Sequence, residues 1–206
     1  MERAAWMFTG GEGPDKSIGL GTLPAPACIC AADSGVDLAL SLGLTPDFAV
    51  GDFDSIVERT ALERITHASH PTDKDLTDSE LLLRHIRTMN IPYVLFGGGG
   101  RRFDHLVQLY GLFERYGAPL VWLTARETMH TVEHCATFSL KAGTTCSILP
   151  AIPSGFSRVT SHNLVWELEN YAISLVSISI SNRVKASPIS LQVEGSPIFF
   201  SIITTP

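Results

Sequence analysis

The stretch Ala27-Cys-Ile-Cys-Ala-Ala-Asp-Ser-Gly35 determines how the first half of the chain is interpreted. Its first six residues are small and apolar and are typical of a short buried strand, whereas its last three have the side chains of a turn. From Val36 to Leu42 apolar residues recur at helical spacing, and Gly43 suits the end of that helix. The stretch therefore predicts a strand, a turn that carries the carboxylate of Asp33, and a helix.

The same order of elements repeats further along the chain. Strand-like segments lie at Phe48–Val50, Tyr93–Phe96 and Leu120–Leu123, and a capping box at Thr77–Glu80 predicts the start of a helix. The apolar faces of the two downstream helices consist of Leu82, Ile86 and Met89, and of Leu106, Leu109, Phe113 and Tyr116. This alternation predicts an α/β domain, Rossmann-like, with a mostly parallel sheet and helices on its faces.

The second half of the chain has a different pattern. All ten aspartates lie at or before Asp104, so the last hundred residues contain none. Short segments rich in β-branched residues alternate there with Gly, Pro, Ser or Asn, and they predict antiparallel strands in an all-β sandwich. These segments are Thr144–Leu149, Leu164–Leu168, Ser174–Ile180 and Pro197–Ile202. We therefore expect an α/β domain at residues 1–130 and a β-sandwich at residues 131–206.

Composition limits the classes of protein to consider. The 206 residues carry a net charge of −6 and are 45% hydrophobic, which allows a packed core. The negative charge argues against a nucleic-acid partner, because a phosphate backbone favours a basic face. Residues 1–10 do not resemble a signal peptide, and no run of about 18 apolar residues would span a membrane. We therefore expect a soluble, cytoplasmic protein.

The four cysteines are too few for a disulfide scaffold in a chain of this length. They are Cys28, Cys30, Cys135 and Cys146. All lie in strand-like segments, and a role as small buried hydrophobic residues is the simplest interpretation. A zinc site at the Cys-x-Cys pair would need a second pair of ligands. His130 and His134 are the candidates, but they lie in an extended segment and not on one helical face, so we expect no zinc site.

Four polar stretches carry the residues that are capable of chemistry. They are Ala32–Gly35, Gly51–Ser55, Asp73–Asp78 and Gly97–His105. Three of them begin where an apolar strand ends, and loops that leave the carboxyl ends of parallel strands share one edge of the sheet. We therefore expect seven aspartates to converge at that edge: Asp33, Asp52, Asp54, Asp73, Asp75, Asp78 and Asp104.

Such a concentration of carboxylates predicts a divalent cation. Like charges held together repel one another, and Mg²⁺ prefers carboxylates, water and phosphates as ligands. Taken singly, each stretch has a simpler interpretation: a turn at Asp52 and Asp54, a solvated loop with a helix N-cap at residues 73–78, and a tight turn at Gly97–Gly100. The functional alternative for the glycines is close approach of their backbone to a phosphate, beside Arg101 and Arg102.

Five motifs in the first half occur in the order seen in thiamine pyrophosphokinases. They are Asp33-Ser-Gly35, Gly43-Leu-Thr-Pro-Asp47, Gly51-Asp-Phe-Asp-Ser55, Lys74-Asp-Leu-Thr-Asp78 and Gly100-Arg-Arg-Phe-Asp-His105. In the second half, Asn163–Leu168 and Ser181-Asn182 resemble the thiamine-binding domain of the same family. The resemblance covers nearly the whole chain. Departures from the family pattern occur at Ser34, Arg101, Leu109 and Asn163; the last replaces a usual Gly, and Asn tolerates a positive φ.

The resemblance implies a homodimeric enzyme with composite active sites. It would transfer diphosphate from ATP to the hydroxyl of thiamine and release AMP. The metal ligands it implies are Asp52, Asp54, Asp75 and Asp78, with Asp33 a further candidate. Asp54, Asp75 and Asp78 would be catalytic, and Asp78 would orient the hydroxyl or accept its proton. The nucleotide contacts it implies are Asp33, Lys74, Thr77, Arg102, Asp104 and His105. Thiamine would contact Trp166, Ser181 and Asn182.

Two other classes of protein use similar residues. A Mg²⁺-dependent nucleotide phosphohydrolase would need the same acidic edge, with water in place of the alcohol. A non-catalytic thiamine or nucleotide sensor would keep the pockets without the metal ligands. The complete set of acids argues against the sensor, and the aromatic residues of the second domain argue against the hydrolase. His105 and Trp166 also have structural interpretations, at a helix start and in a sandwich core.

Overall fold

The computed structural model of the protein describes residues 3–71, 73, 75–100 and 102–204. The chain divides into two compact units. The first contains the residues up to Leu112 together with Pro119–Ala125. The second contains Phe113–Ala118 and the residues from Arg126 onward.

The first unit is built on a parallel sheet, as the sequence predicts. Its strands are β1 (Ala4–Phe8), β2 (Pro26–Ala32), β3 (Phe48–Gly51), β4 (Thr66–Ser69), β5 (Tyr93–Phe96) and β6 (Val121–Leu123). Their order across the sheet is β6-β5-β1-β2-β3-β4, and every neighbouring pair in this order runs parallel. The carboxyl ends of these strands therefore share one edge.

Sequence patterns do not identify β1, although it lies near the middle of this sheet. All of its residues are buried, and a strand buried on both faces has no alternation to recognise. The Phe8 ring stacks on Phe96 of β5 with ring centroids 4.3 Å apart, and Trp6 lies 5.3 Å from the same ring. The core of the first unit therefore forms around a strand that only tertiary packing reveals.

The helices are α1 (Gly35–Ser41), α2 (Asp78–Thr88) and α3 (Phe103–Tyr116), and short 3-10 helices lie at Leu20–Thr22 and Arg59–Arg64. One of the two hydrogen bonds of the predicted capping box is confirmed, because the Thr77 hydroxyl accepts the Glu80 N–H at 3.3 Å. Leu82, Ile86 and Leu109 are buried, so the predicted apolar faces of α2 and α3 are confirmed at these positions.

The second unit contains two antiparallel sheets. Their strands are β7 (Glu127–Val132), β8 (Cys135–Phe138), β9 (Thr145–Pro150), β10 (Ser157–His162), β11 (Tyr171–Ile173), β12 (Ser179–Arg183), β13 (Ile189–Gly195) and β14 (Ile198–Ile203). One sheet has the order β12-β9-β14-β7 and the other β11-β10-β13-β8. Ile148 and Phe200 of the first sheet belong to the same buried cluster as Val159 and Leu191 of the second.

Two strand predictions in the second unit are wrong. Leu164–Leu168 forms no strand, and only Leu164 makes an isolated bridge, to Val184. In Ser174–Ile180 only the last two residues belong to a strand, β12; the rest forms a tight turn, in which Ser174 and Ser177 exchange backbone hydrogen bonds of 2.9 and 3.0 Å. Val176 at its tip is 97% exposed. Apolar alternation is the signal for a half-buried strand, but serines favour turns through local hydrogen bonds, and here the turn prevails.

The cysteines differ in burial. Cys30 and Cys146 are buried and Cys28 is half-buried, but Cys135 is exposed, so the interpretation as buried hydrophobic residues is wrong for Cys135. Burial raises the pKa of the Cys146 thiol to about 11, which keeps it protonated and unreactive at neutral pH. None of the helices in the described ranges is long and apolar enough to cross a membrane.

Candidate functional site: an acidic edge and an exposed tryptophan

Three of the predicted acidic residues come together at the carboxyl edge of the parallel sheet. Asp33 directly follows β2, and Asp52 and Asp54 follow β3. Each of the three offers a carboxylate oxygen, and these oxygens all lie within 4.8 Å of one another. Among the described residues this is the one group of three or more acidic, histidine or cysteine side chains with such spacing. The expected convergence is confirmed for these three aspartates.

Asp33 is held at this edge by its backbone. It adopts a φ of 46°, a region that Asp and Asn occupy more readily than other non-glycine residues. Its amide N–H donates to Val50 O at 2.9 Å. A side chain on Gly51 would lie 3.1 Å from Asp33 Cα, so the glycine lets the ends of β2 and β3 approach each other. The two acidic loops are neighbours for this reason.

The two carboxylate oxygens of Asp33 differ in their surroundings. Oδ2 accepts a short hydrogen bond from the Ser55 hydroxyl. Oδ1 is buried and receives no hydrogen bond from any residue in the described ranges. A buried carboxylate oxygen without a donor is costly unless a cation or a ligand satisfies it. This oxygen is therefore suited to contact a positively charged group.

Phe53 fixes the turn between Asp52 and Asp54. Its φ is 58°, which is strained for a bulky side chain. The ring is buried and packs edge-on against His67 with ring centroids 5.6 Å apart. Burial of this ring offsets the strain and leaves the flanking carboxylates at the edge of the sheet, where Asp54 is exposed and Asp52 is half-buried.

Asp37 is a residue of this site that the sequence interpretation missed. It lies in the first turn of α1, where an acid is ordinarily explained by the helix dipole. Its carboxylate accepts the Val57 N–H at 2.9 Å and the Glu58 N–H at 3.1 Å. These two amides lie just beyond the Asp52–Ser55 turn, after Ile56. Asp37 therefore anchors the acidic loop from the helix side.

The predicted ligands on the third acidic stretch lie outside this group. Asp75 is exposed, and Asp78 is half-buried at the first residue of α2. Their assignment as metal ligands stays a prediction. The Thr77 hydroxyl caps α2, and the neighbouring Ser79 hydroxyl lies 2.7 Å from that of Thr9. Lys74 lies outside the described residues.

The glycine-rich loop does not offer a phosphate cradle at its first three amides. Gly97 N–H donates to Leu123 O at 2.9 Å, Gly98 N–H to Gly10 O at 2.9 Å, and Gly99 N–H to Glu12 O at 3.3 Å. These three amides are therefore not available to a phosphate, and close approach of the backbone at Gly100 to a phosphate stays a prediction. Close packing explains Gly97, because a side chain there would lie 2.4 Å from the carbonyl oxygen of Thr9.

Arg102 pairs with Asp104 beside this loop. The guanidinium donates to the two carboxylate oxygens at 3.1 and 2.5 Å. The hydrogen bonds from Arg102 hold the pKa of Asp104 below its usual value, although both side chains are exposed. His105 is also exposed and lies in the first turn of α3. The nucleotide contacts of these residues stay predictions. The same holds for a phosphate contact of Arg101, which lies outside the described residues.

In the second unit, the side chain of Asn182 holds the backbone of Trp166, whose indole is exposed. The indole is 55% exposed, whereas Asn182 is 1% exposed. Asn182 Nδ2 donates to Trp166 O at 2.7 Å, and Trp166 N–H donates to Asn182 Oδ1 at 3.2 Å. This reciprocal pair fixes the backbone of Trp166. The alternative interpretation of Trp166 as a core residue of the sandwich is wrong.

Two further residues complete this exposed surface. Ser181 is exposed, has a φ of 55°, and lies at a bulge in the pairing of β12 with β9. The guanidinium of Arg183 lies 5.4 Å from the centroid of the Trp166 ring, in a cation–π contact.

Asn163 has a φ of 70°, which confirms that Asn at this position accepts the conformation otherwise favoured by Gly.

A parallel sheet with clustered carboxylates at its carboxyl edge is typical of enzymes that transfer phosphate groups. The family model for thiamin pyrophosphokinase, catalytic domain, matches residues 23–118. The family model for thiamin pyrophosphokinase, vitamin B1 binding domain, matches residues 130–195. Together the two models span more than three quarters of the chain, in the order that the resemblance requires.

Solved structures share this fold. A thiamin pyrophosphokinase family protein from Enterococcus faecalis has a TM-score of 0.76 at 18% identity, over 98% of this chain and 100% of that one. Thiamine pyrophosphokinase from Bacillus subtilis has a TM-score of 0.76 at 21% identity, over 99% and 100%. The Candida albicans enzyme has a TM-score of 0.72 at 17% identity, over 98% and 90%. A search of curated protein sequences gives no significant match.

The chain belongs to the thiamin pyrophosphokinase family. It is therefore an enzyme that transfers a pyrophosphate group to thiamine. The resemblance stated from the sequence is confirmed by both family models, and the hydrolase and sensor alternatives are not favoured.

The anchor at Asp37 is testable. Replacing Asp37 with Ala leaves two backbone N–H groups of the acidic loop without their acceptor, so we expect weaker binding of Mg²⁺, by about tenfold, and a lower melting temperature. Isothermal titration with Mg²⁺ measures the first and a thermal melt the second. The control is Asp47→Ala, since Asp47 also accepts a backbone N–H, from Ile29 at 2.8 Å, but precedes β3. Equal loss of Mg²⁺ affinity in both variants would contradict the anchoring role.

Proposed function

We propose that the chain transfers diphosphate from ATP to thiamine with Mg²⁺, releasing AMP, and that it acts as a homodimer in the cytoplasm. On this proposal residues 1–130 form a Rossmann-like domain that binds ATP and Mg²⁺, and residues 131–206 form a β-sandwich that binds thiamine. The observation that carries the proposal is the carboxylate cluster of Asp33, Asp52 and Asp54 in a chain of this family.

The residues of the acidic edge fit a magnesium ion. Three carboxylates are the hard oxygen ligands that Mg²⁺ prefers, and the buried Oδ1 of Asp33 lacks a donor in the described ranges. Asp33, Asp52 and Asp54 would hold the ion, and Asp75 and Asp78 would approach it from the third acidic stretch. When bound, the ion would neutralise negative charge on the phosphate groups.

The protein's own contribution to the reaction is positioning and proton transfer. A bond forms between the thiamine hydroxyl oxygen and the β-phosphorus of ATP, and the bond from that phosphorus to the α–β bridging oxygen breaks, so AMP leaves. Asp78 accepts the hydroxyl proton. Lys74 and Arg102 hold the triphosphate by charge, with Asp104 and His105 orienting Arg102 or the nucleotide, and Thr77 fixes the start of α2.

Thiamine binds against Trp166 on this proposal. Its cationic thiazolium and flat aminopyrimidine suit an exposed indole, and a cation–π contact is worth about 0.5–2 kcal/mol. Arg183 already lies over the ring, so we assign thiamine to the opposite face, because two cations on one face repel each other. Ser181 supplies a polar contact, and Asn182 acts through the backbone of Trp166.

The products of the reaction test the proposed function directly. With ATP, Mg²⁺ and thiamine, we expect AMP and thiamine diphosphate in equal amounts, because the β-phosphorus is the atom attacked. Anion-exchange chromatography separates AMP from ADP and thiamine diphosphate from the monophosphate. Formation of ADP, or ATP hydrolysis that does not depend on thiamine, would overturn the proposal.

The metal ligands are tested by removing single charges. We expect Asp54→Asn and Asp75→Asn each to abolish turnover and to weaken Mg²⁺ binding, because Asn keeps the shape but not the charge that a hard cation needs. Melting without metal should stay the same or rise as repulsion is relieved. The matched control is Asp73→Asn on the same stretch. If a variant keeps more than about a tenth of the activity, a loss of less than about 1.4 kcal/mol in barrier, the replaced aspartate is not a metal ligand.

Trp166→Ala tests the thiamine surface. Loss of the indole should raise the KM for thiamine at least about tenfold and leave the KM for ATP nearly unchanged, since the ring contacts only the vitamin. Steady-state kinetics with each substrate varied measure the two constants. Phe156→Ala is the matched control, because Phe156 is similarly exposed and also lies beneath an arginine, at 5.8 Å.

Mixing two inactive variants tests whether the sites are shared between subunits. A mixed dimer of Trp166→Ala with Asp54→Asn should recover some activity, because one composite site then receives both intact halves. Dimer formation is followed by native mass spectrometry of differently tagged chains. If mixed dimers form and remain inactive, each site is contained in one subunit.

A further inference from the structure

Three sulfur atoms lie together in the first unit, apart from the acidic edge. The Cys30 thiol donates to Cys28 Sγ at 3.7 Å, and the Cys28 thiol donates to Met89 Sδ at 3.7 Å. Cys28 and Cys30 are two residues apart in β2, so their side chains lie on the same face of the strand. Met89 caps the carboxyl end of α2, which packs against β2.

We propose that Cys28, Cys30 and Met89 form a binding site for a soft monovalent metal ion, Cu(I) or Ag(I). Thiolate and thioether sulfurs are the ligands that select Cu(I) over harder cations. This site is independent of the acidic edge and of the transfer reaction.

The spacing of the sulfurs suits one shared ion. A metal about 2.3 Å from each sulfur, with ligands at about 120°, holds two sulfurs about 4 Å apart. Cys28 Sγ lies 3.7 Å from both Met89 Sδ and Cys30 Sγ, so each of these two pairs is within a few tenths of an ångström of that spacing, and binding would bring the Cys30 and Met89 sulfurs to the same separation. Cys30 is fully buried, whereas Cys28 and Met89 are half-buried, which leaves a route for an ion to enter.

A disulfide and a zinc site explain the cluster less well. Residues i and i+2 of a strand have Cα atoms about 6.6 Å apart, near the upper limit for a disulfide. Zinc takes four ligands in structural sites, and no described group of three His, Cys, Asp or Glu side chains includes these cysteines. An all-sulfur set of three ligands matches Cu(I) instead.

Metal binding exchanges protons and no electrons. Burial, and then the neighbouring Cys28 thiol, raise the pKa of Cys30 well above its usual value, so this thiol is protonated in the metal-free protein. Each Cu(I) ion that binds displaces the protons of the two thiols, which pass to solvent, and Met89 contributes its sulfur without losing a proton.

The site is distant from the proposed transfer chemistry. Met89 lies at the far end of the 11-residue helix α2 from Asp78, a length of about 16 Å. Cys30 precedes Asp33 by three residues of extended chain, about 10 Å. Variants at Cys28 and Met89 should therefore keep the basal transferase activity, which also shows that they fold.

Copper binding by the full chain tests the proposal. The reference protein carries Cys135→Ser, because Cys135 is exposed and would bind metal by itself. Cu(I) is supplied anaerobically as its bicinchoninate complex, and loss of the coloured complex measures transfer to the protein. We expect one ion per chain, loss of binding in Cys28→Ala, and weakening of at least about tenfold in Met89→Leu, since even outer-shell changes cost about 10–100-fold.

Matched controls and a second readout keep the test decisive. Cys146→Ala and Met129→Leu remove buried sulfurs elsewhere in the chain and should bind copper like the reference. X-ray absorption at the copper edge of the loaded reference protein should show three sulfur neighbours, a result that needs no further variant. Failure of the reference to take Cu(I), full binding by Cys28→Ala or Met89→Leu, or nitrogen or oxygen ligands would each overturn the proposal.

Discussion

The acidic edge depends on the close approach of the backbone at Gly51 to that at Asp33. A side chain at Gly51 would meet Asp33 Cα at 3.1 Å, a tight contact, so glycine favours the close approach of the ends of β2 and β3. The Asp33 amide then bonds to Val50, and three carboxylates from two loops come within 4.8 Å. Carboxylates held this close repel one another, and Phe53 and Asp37 fix the loop that holds two of them there.

The two units expose different kinds of side chain for different physical reasons. The first gathers charge at the carboxyl ends of parallel strands, where backbone topology alone brings distant loops together. The second exposes a large aromatic ring, at a cost in hydrophobic surface that ordinary packing avoids. Asn182 is almost fully buried, and its side-chain amide bonds both backbone groups of Trp166. A buried polar side chain therefore fixes an exposed apolar one, which is favourable for binding a flat, cationic molecule.

Much of this organisation is accessible from the sequence, but not all of it. The α/β order, the capped start of α2 and the acidic loops follow from local patterns of apolar and turn residues. Asp37 did not, because an acid in the first turn of a helix already has a sufficient local explanation. The composition of the glycine loop does not show that three of its amides bond to Gly10, Glu12 and Leu123. The cluster of Cys28, Cys30 and Met89 joins residues 61 positions apart.

The sequence by itself determined which residue types follow each strand, and thereby the family and the kind of chemistry. Local interactions, with a range of a few residues, are sufficient for helix caps, turns and the ends of strands. Tertiary structure alone decided that β1 lies within the sheet, that Ser174–Ile180 turns back on itself, and that Asp75 lies outside the group of Asp33, Asp52 and Asp54. These outcomes depend on burial and on contacts between distant segments, which no local pattern encodes.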